Sequence, residues 1–503
     1  MVETAIIPPE KVSTGIKGLD NILKGGLPKN RLYLLEGDPG TGKTTVGLQF
    51  LLEGARSGET GLYITLSESK EELVAVGLSH GWSLDDLTIH DLTVSGDSLQ
   101  NDSHYTVFHP AEVELDETTK AVLSEVERVR PSRVVFDSLS EMRMLARDAL
   151  RFRRQILALK QYFIGKQCTV MLLDDRTSDV SDRQLESIAH GVISLNYNPP
   201  EYGKQRHTLR VIKMRGVNFQ SGTHDFNIET GGIAVFPRLT TPDRESLIES
   251  GQLKSKIVNL EHLLGGLDYG TSTILTGPAG IGKTTLAAMY AYTAAEMGER
   301  AAIYMFDETL ETLYMRMAAL GMDLKPHVEA GRISLRYIKL AELTPGELAY
   351  LISQEVEDNN ARVVIIDSVN GYLTATPQER YLTMQFHEVL SYLNQQGVVS
   401  ILIVGQHGMV GSMRSPIDMS YLADTVILMR YFEAEGKVRQ AISVLKKRTG
   451  RHERSIREFW IDSGGIQVGA PLDEFQGVLT GVPTYYGSGE RLMERSNDGA
   501  AEN

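Results

Sequence analysis

The pattern GxxxxGK[ST] occurs twice in this chain, as Gly37-Asp38-Pro39-Gly40-Thr41-Gly42-Lys43-Thr44 and as Gly277-Pro278-Ala279-Gly280-Ile281-Gly282-Lys283-Thr284. The copies lie 277 − 37 = 240 residues apart, close to half of the 503-residue length. No other feature constrains the fold as tightly. The glycines let successive backbone N–H groups close around phosphate oxygens where a strand turns into a helix. The lysine reaches the β- and γ-phosphates, and the hydroxyl ligates Mg²⁺. Two such loops imply a tandem duplication of one nucleotide-binding module, each copy long enough to bury its own core.

The segments around the loops agree. Arg31–Glu36 is a short apolar run before the first loop, and a helix is expected through Thr45–Leu52. Gly61–Leu66 reads as the next strand, followed by a helix near residues 70–80, and Arg133–Asp137 as a buried strand ending in an acid. The second half repeats the order with Ser272–Thr276, Ala301–Phe306 and Arg362–Asp367. Apolar strands alternating with helices predict an α/β fold, in each half a mainly parallel sheet flanked by helices. The expected domains are 10–238 and 250–482, joined through a polar stretch near 238–256. Residues 483–503 are expected to be a flexible tail, polar and without apolar periodicity.

Composition narrows the class. Hydrophobic residues make up 42% and charged residues 23%, as in ordinary globular proteins, and no apolar run is long enough for a membrane helix. Residues Met1–Pro9 lack a basic region followed by an apolar stretch, so no secretory signal is read and the expected location is the cytoplasm. Cys168 is the single cysteine and reads as a small buried hydrophobe. The formal net charge of −14 argues against a partner held by its phosphate backbone, although a local basic channel stays compatible with it.

Acids recur at fixed distances from the loops. Glu68 lies 68 − 43 = 25 residues beyond Lys43, and Glu308 lies 308 − 283 = 25 beyond Lys283. A carboxylate leaving the strand after the loop helix can orient or deprotonate an attacking nucleophile; the plainer alternative is a solvated strand-end glutamate. Asp137 and Asp367 end strands of Walker B type and are expected, with Thr44 and Thr284, around Mg²⁺. Late in each half come Lys213-Met214-Arg215 and Lys446-Lys447-Arg448. These are either surface charge or, in a ring, cations that reach the neighbouring subunit's γ-phosphate. Lys446, Lys447, Arg448, Arg451 and Arg454 form the best nucleic-acid candidate in the chain, without interleaved aromatic residues.

With these pieces placed, residues 12–482 resemble the KaiC family, double-ring ATPases and autokinases of the RecA superfamily. The matching segments are Ser13–Asp20, Ser79-His80-Gly81-Trp82, Asp137-Ser138, Lys213–Gly216, Asp367-Ser368, Ala423–Leu428 and Ser455–Phe459, together with both loops. The resemblance implies a homohexamer of two stacked rings with ATP and Mg²⁺ at subunit interfaces, and adds Ser79, Thr45 and Thr285 to the ATP-binding residues. It also implies slow hydrolysis in the N-terminal ring and phosphate transfer in the C-terminal ring to a Ser-Thr pair. That pair aligns with Ser420-Tyr421, so a single phosphoserine is expected rather than a two-site cycle. The family's paired glutamates become Ser67-Glu68 and Asp307-Glu308, which leaves either Asp307 or Glu308 as the second-half base. A KaiB-like or other signalling protein is an implied partner. KaiA is not, because the C-terminal tail does not match the segment that binds it. The expected role is a timing or signalling hub. The competing readings are a RecA-like DNA-dependent ATPase and a nucleotide-gated scaffold without kinase activity.

Overall fold

The computed structural model describes residues 9–93, 110–146, 148–176, 183–199, 204–240, 251–339, 342–374, 379–406, 420–480 and 483–486. The chain forms two compact units: Met1–Arg238 with Thr344–Tyr350, and Leu239–Leu343 with Leu351–Asn503. Each is built on a 9-stranded sheet.

In the first unit the strands run in the order Gly232–Phe236, His224–Glu229, Arg206–Met214, Gly191–Asn198, Leu32–Gly37, Thr169–Asp175, Arg133–Asp137, Gly61–Thr65 and Thr88–Asp91. The last six are mutually parallel, and the first three join them in antiparallel fashion. The sheet of the second unit repeats the order with Ser272–Gly277 in the loop-strand position. The expected mainly parallel α/β architecture is therefore present in both halves.

Sequence explains the layering. Every residue of Leu32–Gly37 and of Arg133–Asp137 is buried, as required of strands covered by helices on both faces. Alternate residues feed two cores: Tyr33, Leu35 and Val135 join one with Phe50 and Leu51, while Leu34, Val134 and Phe136 join the other with Ile156 and Phe163. Phe50 and Leu51 on the helix Lys43–Arg56 are 0% exposed, each worth about 1.5–3 kcal/mol of burial. Cys168 sits in the second of these cores as expected, its thiol pushed up to about 11 by burial.

Parallel register carries the function. The loop strand ends at Gly37 beside Asp175, and Thr65 ends level with Asp137, so the phosphate loop and the acids share the carboxyl edge of the sheet. At the carboxyl end of the chain, Thr484–Tyr485 pairs antiparallel with Phe475–Gln476, and the expected tail beyond it, 487–503, lies outside the described residues.

Candidate active sites

Each loop turns from strand to helix through left-handed glycine. Gly42 has φ +89° and Gly282 φ +102°, and both stand at the N-cap of the following helix. The positive φ disfavours a side chain there, and a Cβ on Gly42 or Gly282 would also push Ile228 Cδ1 (2.9 Å) or Ile461 Cδ1 (2.6 Å) aside. Over Gly40 a Cβ would meet nothing within 4 Å, so the mouth of the first loop is open. Lys43 and Lys283 curl back over their loops. Lys43 donates to Gly37 O and Asp38 O at 2.9 Å each; Lys283 donates to Gly277 O at 2.9 Å and Pro278 O at 2.7 Å.

The expected metal pairs are brought together. Thr44 Oγ1 donates to Asp137 Oδ2 at 3.3 Å, and Thr284 Oγ1 to Asp367 Oδ2 at 2.6 Å. A partly buried hydroxyl beside a buried carboxylate at the glycine loop is a donor set suited to Mg²⁺ with a triphosphate, so the residues fit ATP with Mg²⁺. Sequence reasoning missed Tyr63, whose hydroxyl donates to Asp137 Oδ2 at 2.6 Å. Burial first, then the Asp137 charge, holds that phenol protonated, so it is a fixed donor. Burial also raises Asp137, and it raises Asp367 to about 6. For Asp367 the neighbouring Asp307 and Glu308 add to the rise, while the Thr284 bond and Lys283 oppose it.

A pH prediction follows from Asp367. Its neutral form gains below about pH 6; if Mg·ATP is held there through the carboxylate anion, as the residues allow, its binding would expel a proton at low pH. Second-site affinity is expected to fall about tenfold per pH unit below that point. Calorimetric titration in buffers of different ionisation enthalpy checks it: proton release at pH 5.5 that vanishes in Asp367→Asn is the expected result.

The acids expected to act on the nucleophile are held differently in the two halves. Glu68 is half-buried at the end of its strand, fixed because Thr65 Oγ1 both donates to Glu68 O at 2.6 Å and accepts from its N–H at 3.1 Å. Its Oε2 is buried without a hydrogen-bond partner among the described residues, and burial followed by Asp137, Glu72 and Asp175 raises its pKa against the pull of Lys43. Glu308, at the matching place, is held by a bidentate pair: Arg316 Nη1 to Oε1 at 2.7 Å and Nη2 to Oε2 at 2.8 Å. Asp307 Oδ2 accepts from Ser368 Oγ at 2.5 Å. In the first half Ser67 offers no such carboxylate, and the equivalent Ser138 Oγ is buried without a partner among the described residues.

The Lys-x-Arg elements lie at the opposite edge of each sheet. Arg215 N–H donates to His190 O, and His190 N–H to Leu32 O, so Arg215 stands level with the start of the loop strand. Gly37 is 37 − 32 = 5 residues farther on, about 17 Å away along the strand. Arg448 N–H likewise donates to Asp424 O, whose own N–H donates to Ser272 O, five residues (277 − 272) from Gly277. The cations face backbone carbonyls there. Lys213, Arg215 and Lys160 donate to Glu186 O, Ser187 O and Ile188 O in turn, at the negative end of the short helix Arg183–Ile188. His190 beside them is driven down to about 4, by burial first and then by Lys160, Arg31 and Arg215.

Ser420 belongs to the same edge in the second half. Lys446 Nζ donates to Ser420 O at 2.8 Å and Ala423 O at 2.7 Å, and Arg448 donates to Tyr421 O and Asp424 Oδ1. Ser420 and Tyr421 are both exposed. The five-cation cluster does not form a continuous patch, because the Lys447 side chain is 1% exposed and points inward to Leu264 O, Gly266 O and Asp268. Ser79 is exposed and donates back to Val76 O of its own helix at 2.7 Å. Thr45 is buried, with Oγ1 3.4 Å from His80 Nε2, and Thr285 is buried too.

A mainly parallel sheet with a glycine loop at its carboxyl edge and a hydroxyl beside a buried carboxylate there defines a RecA-like P-loop nucleoside triphosphatase, here duplicated in tandem. The chain belongs to the KaiC family of ATPases: the family described as "ATPase: KaiC" matches residues 12–240 and 253–473. It is 27% identical over 487 residues to the circadian clock oscillator protein KaiC of Thermostichus vulcanus, covering 94% of this chain and 92% of that one. It is 26% identical over 492 residues to the protein of the same name from Synechococcus elongatus, with coverage of 94% and 92%. No described helix is long and apolar enough to cross a membrane.

Proposed function

We propose that the chain is a ring-forming, cytoplasmic ATPase that binds ATP in both halves, hydrolyses it in the first and phosphorylates Ser420 in the second, as a timing or signalling hub. One observation supports the ring most: each phosphate loop and its Lys-x-Arg element occupy opposite edges of one sheet, about 17 Å apart along the strands. An arginine side chain spans less than half of that. Lys213 and Arg215, like Lys446 and Arg448, therefore act on the nucleotide of another copy, and a homohexamer with ATP at its seams satisfies every subunit at once.

The steps follow from the residues. Gly37–Thr44 and Gly277–Thr284 cradle the phosphates, and Lys43 and Lys283 bind the β- and γ-oxygens. Thr44 with Asp137 and Thr284 with Asp367 would hold Mg²⁺, which would neutralise charge on the phosphates. In the first half Glu68 accepts a proton from the attacking water. In the second half Ser420 Oγ of one copy attacks the γ-phosphorus bound by its neighbour, and the bond to the β,γ-bridging oxygen breaks. Asp307 takes the hydroxyl proton once it has released Ser368, because Glu308 is committed to Arg316.

The test is incubation of the purified chain with γ-labelled ATP and Mg²⁺, read by intact mass and autoradiography. One phosphate per chain is expected, lost in Ser420→Ala. Label that persists undiminished in that variant removes Ser420 as the acceptor. A second reading, a nucleotide-gated scaffold without kinase activity, draws support from the same pairings: both second-half acids already have partners, and tyrosine follows Ser420. Nucleotide-dependent assembly without any phosphoprotein would select it. Among the described residues the basic cluster is broken by the inward-pointing Lys447, which weighs against a DNA-dependent ATPase. A KaiB-like protein is the kind of partner such a hub would engage.

A further inference from the structure

The two phosphate loops differ in what their lysines hold. Besides its two loop carbonyls, Lys43 Nζ lies 2.7 Å from Asp175 Oδ1. An ammonium has three protons, so these three acceptors use its whole donor capacity. Lys283 makes the same two carbonyl contacts and, among the described residues, no ion pair with a carboxylate. The cause is a single register position. Asp175 stands beside Gly37 on the adjacent strand, and the residue beside Gly277 is Gly405. The surroundings otherwise correspond: Asp175 N–H donates to Ser140 Oγ at 3.1 Å, and Gly405 N–H to Asn370 Oδ1 at 2.8 Å.

A phosphate in a cradle of this kind needs the lysine proton that Asp175 occupies. We infer that Asp175 is an internal competitor for the first cradle, holding Lys43 in the place of a phosphate oxygen so that nucleotide binding there must break an ion pair the second cradle lacks. This rests on the reading of both loops as nucleotide sites. Once displaced, the carboxylate keeps only the Ser140 hydroxyl at 3.4 Å and, about a quarter exposed, faces the triphosphate without a cation, near Asp137 and Glu68, whose ionisation its charge already opposes. Like charges at this range add to the cost. When phosphate leaves, Asp175 recaptures Lys43, so the same group that weakens entry favours release. The two halves of one duplicated module thereby acquire different affinities through one side chain.

The experiment isolates each cradle in the full chain and measures binding of a fluorescent ATP analogue with Mg²⁺. In a Lys283→Ala chain, adding Asp175→Asn is expected to tighten binding about tenfold, because the neutral amide keeps the shape and removes the charge. The reciprocal change transplants the device. A Cβ on Gly405 would lie 3.6 Å from its nearest neighbour, Asn370 Nδ2, so the site has room for a side chain. In a Lys43→Ala chain, Gly405→Asp is expected to weaken binding about tenfold. Failure of either substitution to shift affinity in its stated direction, while the parent chain binds, overturns the inference and leaves the cradle reading intact. A Lys283→Ala chain that binds no nucleotide, with or without Asp175→Asn, overturns both.

Discussion

Alanine at both Lys213 and Arg215 is expected to lower first-half ATP hydrolysis by about 10³-fold while leaving ATP bound. A cation delivered to the γ-phosphate in the transition state is worth about 10³–10⁵ in rate. Neither residue touches its own loop, from which each is separated by most of the length of the sheet, so the affinity of that loop should hold. The decisive measurement mixes two inactive chains. Lys43→Ala chains keep both cations and lose the cradle; the double variant keeps the cradle and loses the cations. If the cations act across a subunit boundary, mixed rings contain some complete sites, and hydrolysis returns to a fraction of wild type set by the mixing ratio. If instead the cations only cap the helix Arg183–Ile188, the double variant loses thermal stability and mixing restores nothing. Hydrolysis that stays at the wild-type rate in the double variant would remove the cations from the mechanism.

That arrangement was only partly legible in the sequence. The parallel interior was readable because strands covered on both faces need apolar interiors, and runs such as Arg133–Asp137 and Ala361–Asp367 have unbroken apolar centres. The cradles were readable because their glycines answer a backbone requirement that local sequence states outright. The Lys-x-Arg elements were visible as residues but ambiguous in role, since the antiparallel turn that carries them to the far edge depends on pairing between Gly191–Asn198 and Arg206–Met214. Asp175 ends an apolar strand much as Asp137 does, and that was a usable signal; its closeness to Lys43 comes from strand order, which spacing does not encode. Arg316 lies 316 − 308 = 8 residues from Glu308, and only the loop before the helix Leu310–Ala319 folds the pair together. Five cations in nine positions read as a patch until Lys447 proved to be buried.

Glu68→Gln is expected to lower first-half hydrolysis by about 10²–10⁴-fold, the usual worth of a positioned general base, with nucleotide binding unchanged. The glutamine keeps the strand-end geometry, because Thr65 fixes this residue through its main chain. What disappears is the proton acceptor at Oε2, a buried oxygen beside the open loop without a partner among the described residues. The pH profile gives a second, independent reading. Burial and the neighbouring acids raise the Glu68 pKa above that of an ordinary glutamate, and a base works only when deprotonated. Wild-type hydrolysis should therefore fall on acidification at a higher pH than an unperturbed glutamate would give, and the residual activity of the variant should lose that limb. The second half supplies the contrast: Glu308 already holds a guanidinium on both oxygens, so Glu308→Gln should change hydrolysis far less than Glu68→Gln does. Equal losses in the two variants would mean that Arg316 releases Glu308 when nucleotide binds, and that the asymmetry between the halves does not govern which of them turns ATP over.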